Sequence, residues 1–161
     1  MTKGLDNHKQ PAILKLEQFL PYKLSALSNR ISGVIAKAYK NKFGLSITEW
    51  RIMAVLGELP GSSADEVSIK TQVEKSLISR SMQKLLKRNL VKRVVDETDR
   101  RRQNLTLTES GKDIYNQIVP VSYEYEALLT GCLSRQERNQ LDQLLNKLSA
   151  HAIKVEKKKS C

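Results

Sequence analysis

Aromatic residues are scarce, at 5% of the 161 residues. That weighs against single-stranded nucleic-acid binding, which uses ring faces as stacking platforms for successive bases. Cysteine and histidine are rarer still: Cys132 and Cys161, His8 and His151. The cysteines fit no metal or redox spacing, and no motif ties either histidine to a nucleophile or to carboxylates. Phosphate-cradling glycine loops, zinc-ligand clusters and Gly-x-Ser-x-Gly are missing. The expectation is therefore a protein with no catalytic residue, metal or cofactor, and not an enzyme. No apolar run approaches a membrane span, and residues 1–10 are polar and unlike a signal peptide, so a cytoplasmic protein without a membrane partner is expected.

Acidic residues are also in short supply. Against 28 Lys and Arg there are 17 Asp and Glu, giving a formal net charge of +11 and a pI near 9.7. This excess favours a polyanionic partner without separating DNA from RNA or acidic lipid. The length suits a single domain able to bury a real core.

The residues from Ser62 to Gly111 carry the most information. Ser63 and Glu66 form a capping box before a short helix over 64–70. A second helix over 74–89 places Leu77, Ile78, Met82, Leu85 and Leu86 along one face. Its other face holds Lys75, Ser76, Ser79, Arg80, Gln83, Lys84 and Lys87, with no acid among them. These are side chains that reach phosphates and base edges in a major groove. Residues 90–95 read as a strand with imperfect alternation. Residues 103–107 alternate cleanly, with Leu105 and Leu107 on one side and Asn104 and Thr106 on the other. Asp96, Glu97 and Asp99 between the strands are embedded among Arg100, Arg101 and Arg102, which suits charge balance better than acid–base chemistry. From Lys84 to Arg102 eight basic residues face three acids. Helix, turn, helix and basic hairpin is the order of a winged helix-turn-helix, whose wing arginines would meet the negative potential of a minor groove.

Long helices flank this reader. Pro21 opens or interrupts the first, along which Leu24, Leu27, Ile31, Val34 and Ala38 recur in steps of three and four until Gly44 stops it. A capping box at Ser46 and Glu49 opens a largely buried helix over 50–59, with Trp50 read as core. Gly57, Pro60 and Gly61 punctuate the following loop. Thr108 caps a helix carrying Ile114, Ile118, Val121, Tyr125 and Leu128, which Pro120 should bend and Gly131 should end. A box at Ser134 and Glu137 starts the last helix, striped by Leu141, Leu144, Leu148, Ala152 and Val155. So regular an apolar seam calls for a partner helix, and a two-fold homodimer would supply it.

Asp99, an Arg two residues on at Arg101, and then Leu107-Thr108-Glu109-Ser110-Gly111 resemble the wing signature of MarR-type bacterial transcription regulators. Lys75-Ser76-Leu77-Ile78-Ser79-Arg80 resembles the start of that family's recognition helix. The resemblance extends over roughly residues 19–155. It implies a mainly α fold with a small β wing: a winged helix-turn-helix over 46–108, flanked by dimerisation helices over 12–43 and 109–156. It further implies a sequence-specific regulator that reads a pseudo-palindromic double-stranded DNA operator. Ser63, Lys75, Ser76, Ser79, Arg80, Gln83 and Lys84 would make the helix contacts. Arg101, steadied by Asp99, would probe the minor groove, with Arg100 and Arg102 on phosphate.

Family members commonly release DNA on binding a phenolic or aromatic acid. Phe19-Leu20-Pro21-Tyr22-Lys23-Leu24-Ser25 and Ser28-Asn29-Arg30 resemble the first helix of members that respond to aromatic catabolites. The resemblance thus implies a repressor with an aromatic carboxylate or phenolic effector, held by Arg30 or Arg51 and lined by Ser28 and Trp50. The sensor cysteine that redox-responsive relatives carry near this helix is missing, so peroxide sensing is not expected. Two alternatives stay open: both arginines in ordinary salt bridges, and a winged-helix module for RNA or a protein partner without ligand control.

Overall fold

A computed structural model describes residues 13–95 and 103–159, which fall into two compact units divided between Ile47 and Thr48. In the first unit a single 3-10 turn, Leu16–Gln18, precedes α1, Leu20–Phe43. Pro21 lies in the first turn of α1, where a missing N–H costs nothing. Gly44 ends the helix in the left-handed region (φ 63°), its N–H donating to the Lys40 carbonyl at 2.8 Å. Ala36 and Tyr39 are buried, whereas Leu24, Leu27 and Val34 of the apolar seam are 41–53% exposed.

The second unit contains α2 from Thr48 onward (the whole helix is Ile47–Glu58), α3 (Ala64–Thr71), α4 (Lys75–Lys87), β1 (Val91–Val95), β2 (Gln103–Leu107), α5 (Glu109–Thr130) and α6 (Arg135–Lys159). Its core is built from Ile52, Met53 and Leu56 of α2, Val67 of α3, Ile78, Met82 and Leu85 of α4, Val91, Leu105 and Leu107 of the strands and Ile118 of α5. The strands pair antiparallel, Val91 opposite Leu107 and Arg93 opposite Leu105. The alternation read in β2 holds: Leu105 and Leu107 are buried, Asn104 and Thr106 half-buried.

Two readings need correction. Leu77, expected on the apolar face of α4, is 40% exposed; the buried arc runs through Ile78, Ser81, Met82 and Leu85. Leu77 lies a full residue, about 100°, round from Ile78, which takes it off the narrow arc that a short helix can bury. Trp50, read as core, is half-buried, its ring 5.8 Å from that of Tyr115 on α5. Gly57 makes room for this pair, because a Cβ there would run into the Tyr115 ring.

The base of the wing is the tightest joint in this unit. Just past the end of α4, Asn89 is left-handed at φ 54°. The Leu90 N–H donates to the Leu85 carbonyl and the Asn89 N–H to the Leu86 carbonyl, both at 3.0 Å. These two bonds make a Schellman ending, with Asn in the place glycine usually takes. Thr108 then bridges the two helices. Its N–H donates to the Leu90 carbonyl at 3.1 Å and its hydroxyl to the Asn89 carbonyl at 2.6 Å. The same hydroxyl accepts from the Gly111 N–H at 3.0 Å, capping α5. A Cβ at Gly111 would collide with the Leu90 carbonyl, so only glycine permits this approach.

α5 runs through Pro120, which lacks the N–H that would otherwise bond the Asn116 carbonyl, and stops at Gly131. The Ser134–Glu137 box that opens α6 is formed reciprocally, at 2.7 and 3.3 Å. It holds the Glu137 carboxyl below its ordinary value through the Ser134 backbone N–H and then the hydroxyl. None of the described residues of α6 is buried; Leu141, Leu144, Leu148, Ile153 and Val155 are 40–58% exposed.

Gly111→Ala should lower unfolding stability by about 2–3 kcal/mol, because the obstacle is backbone and cannot swing aside. Thr108→Ala should cost about 1–2 kcal/mol, with Thr108→Ser recovering most of it. Urea unfolding curves compare the three variants directly.

Candidate nucleic-acid interface

α3, a three-residue turn and α4 form a helix-turn-helix whose geometry is fixed by side chains bonding to backbone. The Ser63 hydroxyl accepts from the Glu66 N–H at 3.2 Å, and the Glu66 carboxylate accepts from the Ser63 N–H at 2.7 Å. This is the capping box expected there. At the other end of α3, Gln72 is left-handed (φ 53°) and its side-chain amide donates to the Ile69 carbonyl at 2.7 Å. The Ser68 hydroxyl donates to the Val73 carbonyl at 2.7 Å, locking the turn from below. Only then does α4 begin, its first carbonyl, that of Glu74, accepting from the N–H groups of Leu77 and Ile78.

On α4, Lys75, Ser76, Ser79, Arg80, Gln83, Lys84 and Lys87 are all exposed, opposite the buried arc. The sequence placed these residues together, and the fold keeps them on one surface. Arg80 is partly steered along the helix, its Nε donating to the Ser76 carbonyl at 3.4 Å. Lys84 and Lys87 sit in the last turn, where a cation suits the helix dipole. Lys75 sits in the first turn, where it does not. Asp65 of α3 answers it with an ion pair at 2.7 Å. Both groups are about 70% exposed, so the pair contributes little to stability, roughly 0–1 kcal/mol. Its consequence is positional: one of the expected DNA contacts is already engaged by a neighbouring carboxylate.

The wing is held beside this helix at two places. One is the Thr108 joint. The other is a short bridge in which the Gly61 N–H donates to the Leu105 carbonyl and the Leu105 N–H to the Ser62 carbonyl, each at 2.9 Å. The loop before α3 thereby pairs with β2 as a stub of third strand. Gly61 adopts φ 91°, which the bridge needs and a side chain would resist. Near the joint, Glu109 is held below the usual carboxylate range by its hydrogen bond to Lys112, then by the charges of Lys112 and Lys92.

Two open grooves flank α4. One of about 270 Å³ lies between α3, α4 and the strands, its polar lining Asp65, Lys75, Ser79, Gln83 and Arg93 over Ile78, Met82 and Leu105. A second, of about 430 Å³, is lined by Gln83, Leu86, Lys87 and Arg93. Arg93 belongs to both, and no reading of the sequence singled it out. Its register opposite Leu105 is the signal that finds it, since paired residues share a face of the sheet.

Of the remaining expected site residues, Asp99, Arg100, Arg101 and Arg102 lie outside the described residues. Ser28 and Arg30 are exposed on α1; Trp50 and Arg51 are half-buried on α2. Among the described residues no group of three or more His, Cys, Asp or Glu is placed to hold a metal ion, and no helix is long and apolar enough to cross a membrane.

Residues 43–102, which take in α2, the helix-turn-helix and β1 and stop just before β2, match the model of the MarR family. The HTH-type transcriptional regulator BilQ of Clostridium symbiosum is 28% identical over 115 residues, 71% of this chain and 80% of that protein. The HTH-type transcriptional regulator PecS of Dickeya dadantii is 26% identical over 133 residues, 81% of this chain and 80% of its own. Among solved structures, a MarR/EmrR family transcriptional regulator from Acinetobacter sp. ADP1 superposes with a TM-score of 0.81 at 27% identity, covering 88% of this chain and 99% of that one. With a capped helix-turn-helix and a clamped pair of strands in the same order, the chain is similar to the winged helix-turn-helix transcriptional regulators of the MarR family, whose model it matches over residues 43–102.

Proposed function

We propose that this chain is a homodimeric repressor that reads a pseudo-palindromic duplex DNA operator and lets go when a small aromatic acid or phenol binds. The observation that carries the DNA reading is the exposed face of α4, with four cations, two hydroxyls and an amide and no carboxylate. The helix under that face is anchored at both ends, so its side chains meet a groove without a large ordering cost. Ser63 at the start of α3 would meet phosphate. Lys75, Ser76, Ser79, Arg80, Gln83 and Lys84 would divide between bases and phosphates. Asp99 would steady Arg101 in the minor groove, with Arg100 and Arg102 on the backbone.

The dimer rests on exposed apolar side chains. Leu24, Leu27 and Val34 recur along α1, and Leu141, Leu144, Leu145 and Leu148 along α6, each 41–58% exposed in the single chain. Covering such stripes with a second copy would remove them from water. Two copies would then present their α4 helices about one DNA turn apart, ~34 Å.

The effector reading is supported by Ser28 and Arg30 on α1 and by Trp50 and Arg51 on α2, residue types that suit a carboxylate attached to a ring. A winged helix can also serve RNA or a protein partner, and nucleic-acid type is settled by direct competition.

In a mobility-shift series, labelled duplex DNA should be retained while duplex RNA of the same sequence competes poorly. Arg80→Ala and Arg101→Ala should each weaken operator binding about tenfold or more without moving the melting temperature. Wild-type affinity should fall steeply with salt, by roughly 0.9 log units per log unit of salt for each phosphate neutralised. Equal retention of RNA would overturn the duplex-DNA reading.

A panel of aromatic acids, phenols and their thioesters should contain at least one member that raises the melting temperature of wild type and not of Arg51→Ala. A panel without any shift would remove the effector from the proposal.

A further inference from the structure

Arg93 lies where neither the recognition helix nor the wing tip, the two parts of the DNA reading above, accounts for it. It sits on β1 opposite Leu105, two pairs outward from Val91 and Leu107 and on the same face. Its partners on that face of the sheet, Val91, Leu105 and Leu107, are 2–4% exposed and form part of the core. Arg93 alone of the four is exposed. A long cationic side chain on an otherwise buried face must run its stem over apolar neighbours and bring its head to water. The neighbours are given by the two grooves that Arg93 lines: Met82, Ile78 and Leu105 in one, Leu86 in the other. Gln83 lies on both grooves as well, and Lys87 on the second. The head of Arg93 therefore belongs to the same surface as the exposed face of α4, in the cleft between that helix and the wing.

Resting on the DNA-binding reading, we infer that Arg93 is a further DNA contact, gripping a backbone phosphate in the cleft between α4 and the wing together with Lys87. The lining explains the choice of ligand. The second groove contains two cations, one amide and one leucine, and no acid. In the first groove the single carboxylate, Asp65, is paired with Lys75 at 2.7 Å. Both grooves are open and Arg93 is exposed, which suits a phosphate presented on a rod and not a small anion enclosed by the protein. A guanidinium gives a phosphate two parallel N–H bonds. A contact at the strand stem would also fix how far α4 enters the major groove, because β1 is tied to the end of α4 through Thr108 and Leu90. Phosphate contacts position a protein without reading bases, so Arg93 should act on all duplexes alike.

The test uses the full chain as wild type, Arg93→Gln and Arg93→Lys, titrated against an operator selected from a random pool and against a scrambled duplex over a salt series. Arg93→Gln should weaken both duplexes by a similar factor, about five- to tenfold, and flatten the log–log salt slope by about 0.9. Arg93→Lys should keep the wild-type slope, because the charge remains, and bind more weakly than wild type, because the two parallel N–H bonds are lost. Melting curves of all three proteins in inorganic phosphate separate a free-anion site from a DNA contact. Stabilisation by millimolar phosphate that vanishes in Arg93→Gln, with duplex affinity unchanged, would overturn the inference. So would an unchanged slope in Arg93→Gln. A wild type that binds no duplex would overturn the DNA reading as well; a wild type that binds, with Arg93→Gln indistinguishable from it, would overturn only the role of Arg93.

Discussion

One residue, Thr108, joins the end of the reading helix, the first strand of the wing and the helix that follows. The Thr108 side chain donates to the Asn89 carbonyl at the end of α4 and accepts from the Gly111 N–H at the start of α5. The Thr108 N–H meanwhile takes the Leu90 carbonyl, at the point where β1 leaves the helix. Three elements thus share one residue: the Gly111 N–H is one that the start of α5 would otherwise leave without a partner, and the Asn89 and Leu90 carbonyls belong to the turn that follows α4. Glycine at 111 is the steric condition for this closeness, since any side chain would strike the Leu90 carbonyl. The Leu-Thr-x-x-Gly sequence is, in physical terms, a weld between recognition helix, wing and the helix that follows.

Much of this was legible in the residues. Ser63 and Glu66, Ser134 and Glu137, and Thr108 each announced a helix start, and each forms the hydrogen bonds that its type and spacing demand. The alternation of Leu105 and Leu107 against Asn104 and Thr106 fixed which side of β2 is buried. Local rules work here because capping and alternation depend on neighbours a few residues away.

What the sequence hid depends on neighbours far along the chain. Leu77 looked like core because apolar type was counted without the width of the buried arc. Trp50 looked like core because its partner, Tyr115, lies 65 residues away and a ring pair at 5.8 Å leaves one edge open. The strand stub at Gly61–Ser62 was read as loop, since a two-residue bridge to Leu105 has no alternation of its own. Arg93 escaped because its meaning lies in its register opposite Leu105, which no count of basic residues supplies. Asp65 escaped for a similar reason: only the turn set by Ser68 and Gln72 brings it to Lys75.

The charge excess of the chain becomes informative once these constraints are in place. Cations scattered over a surface attract any polyanion. Those of α4 are held on one face of a helix whose two ends are pinned, with the strand stem beside it. Selection from a random duplex pool with the purified full-length protein tests this most directly. The expected product is a two-fold related sequence whose half-sites lie about 10 base pairs apart, centre to centre, bound by two copies of the chain. Recovery of no enriched sequence, or of an unrepeated half-site bound by a single copy, would contradict it.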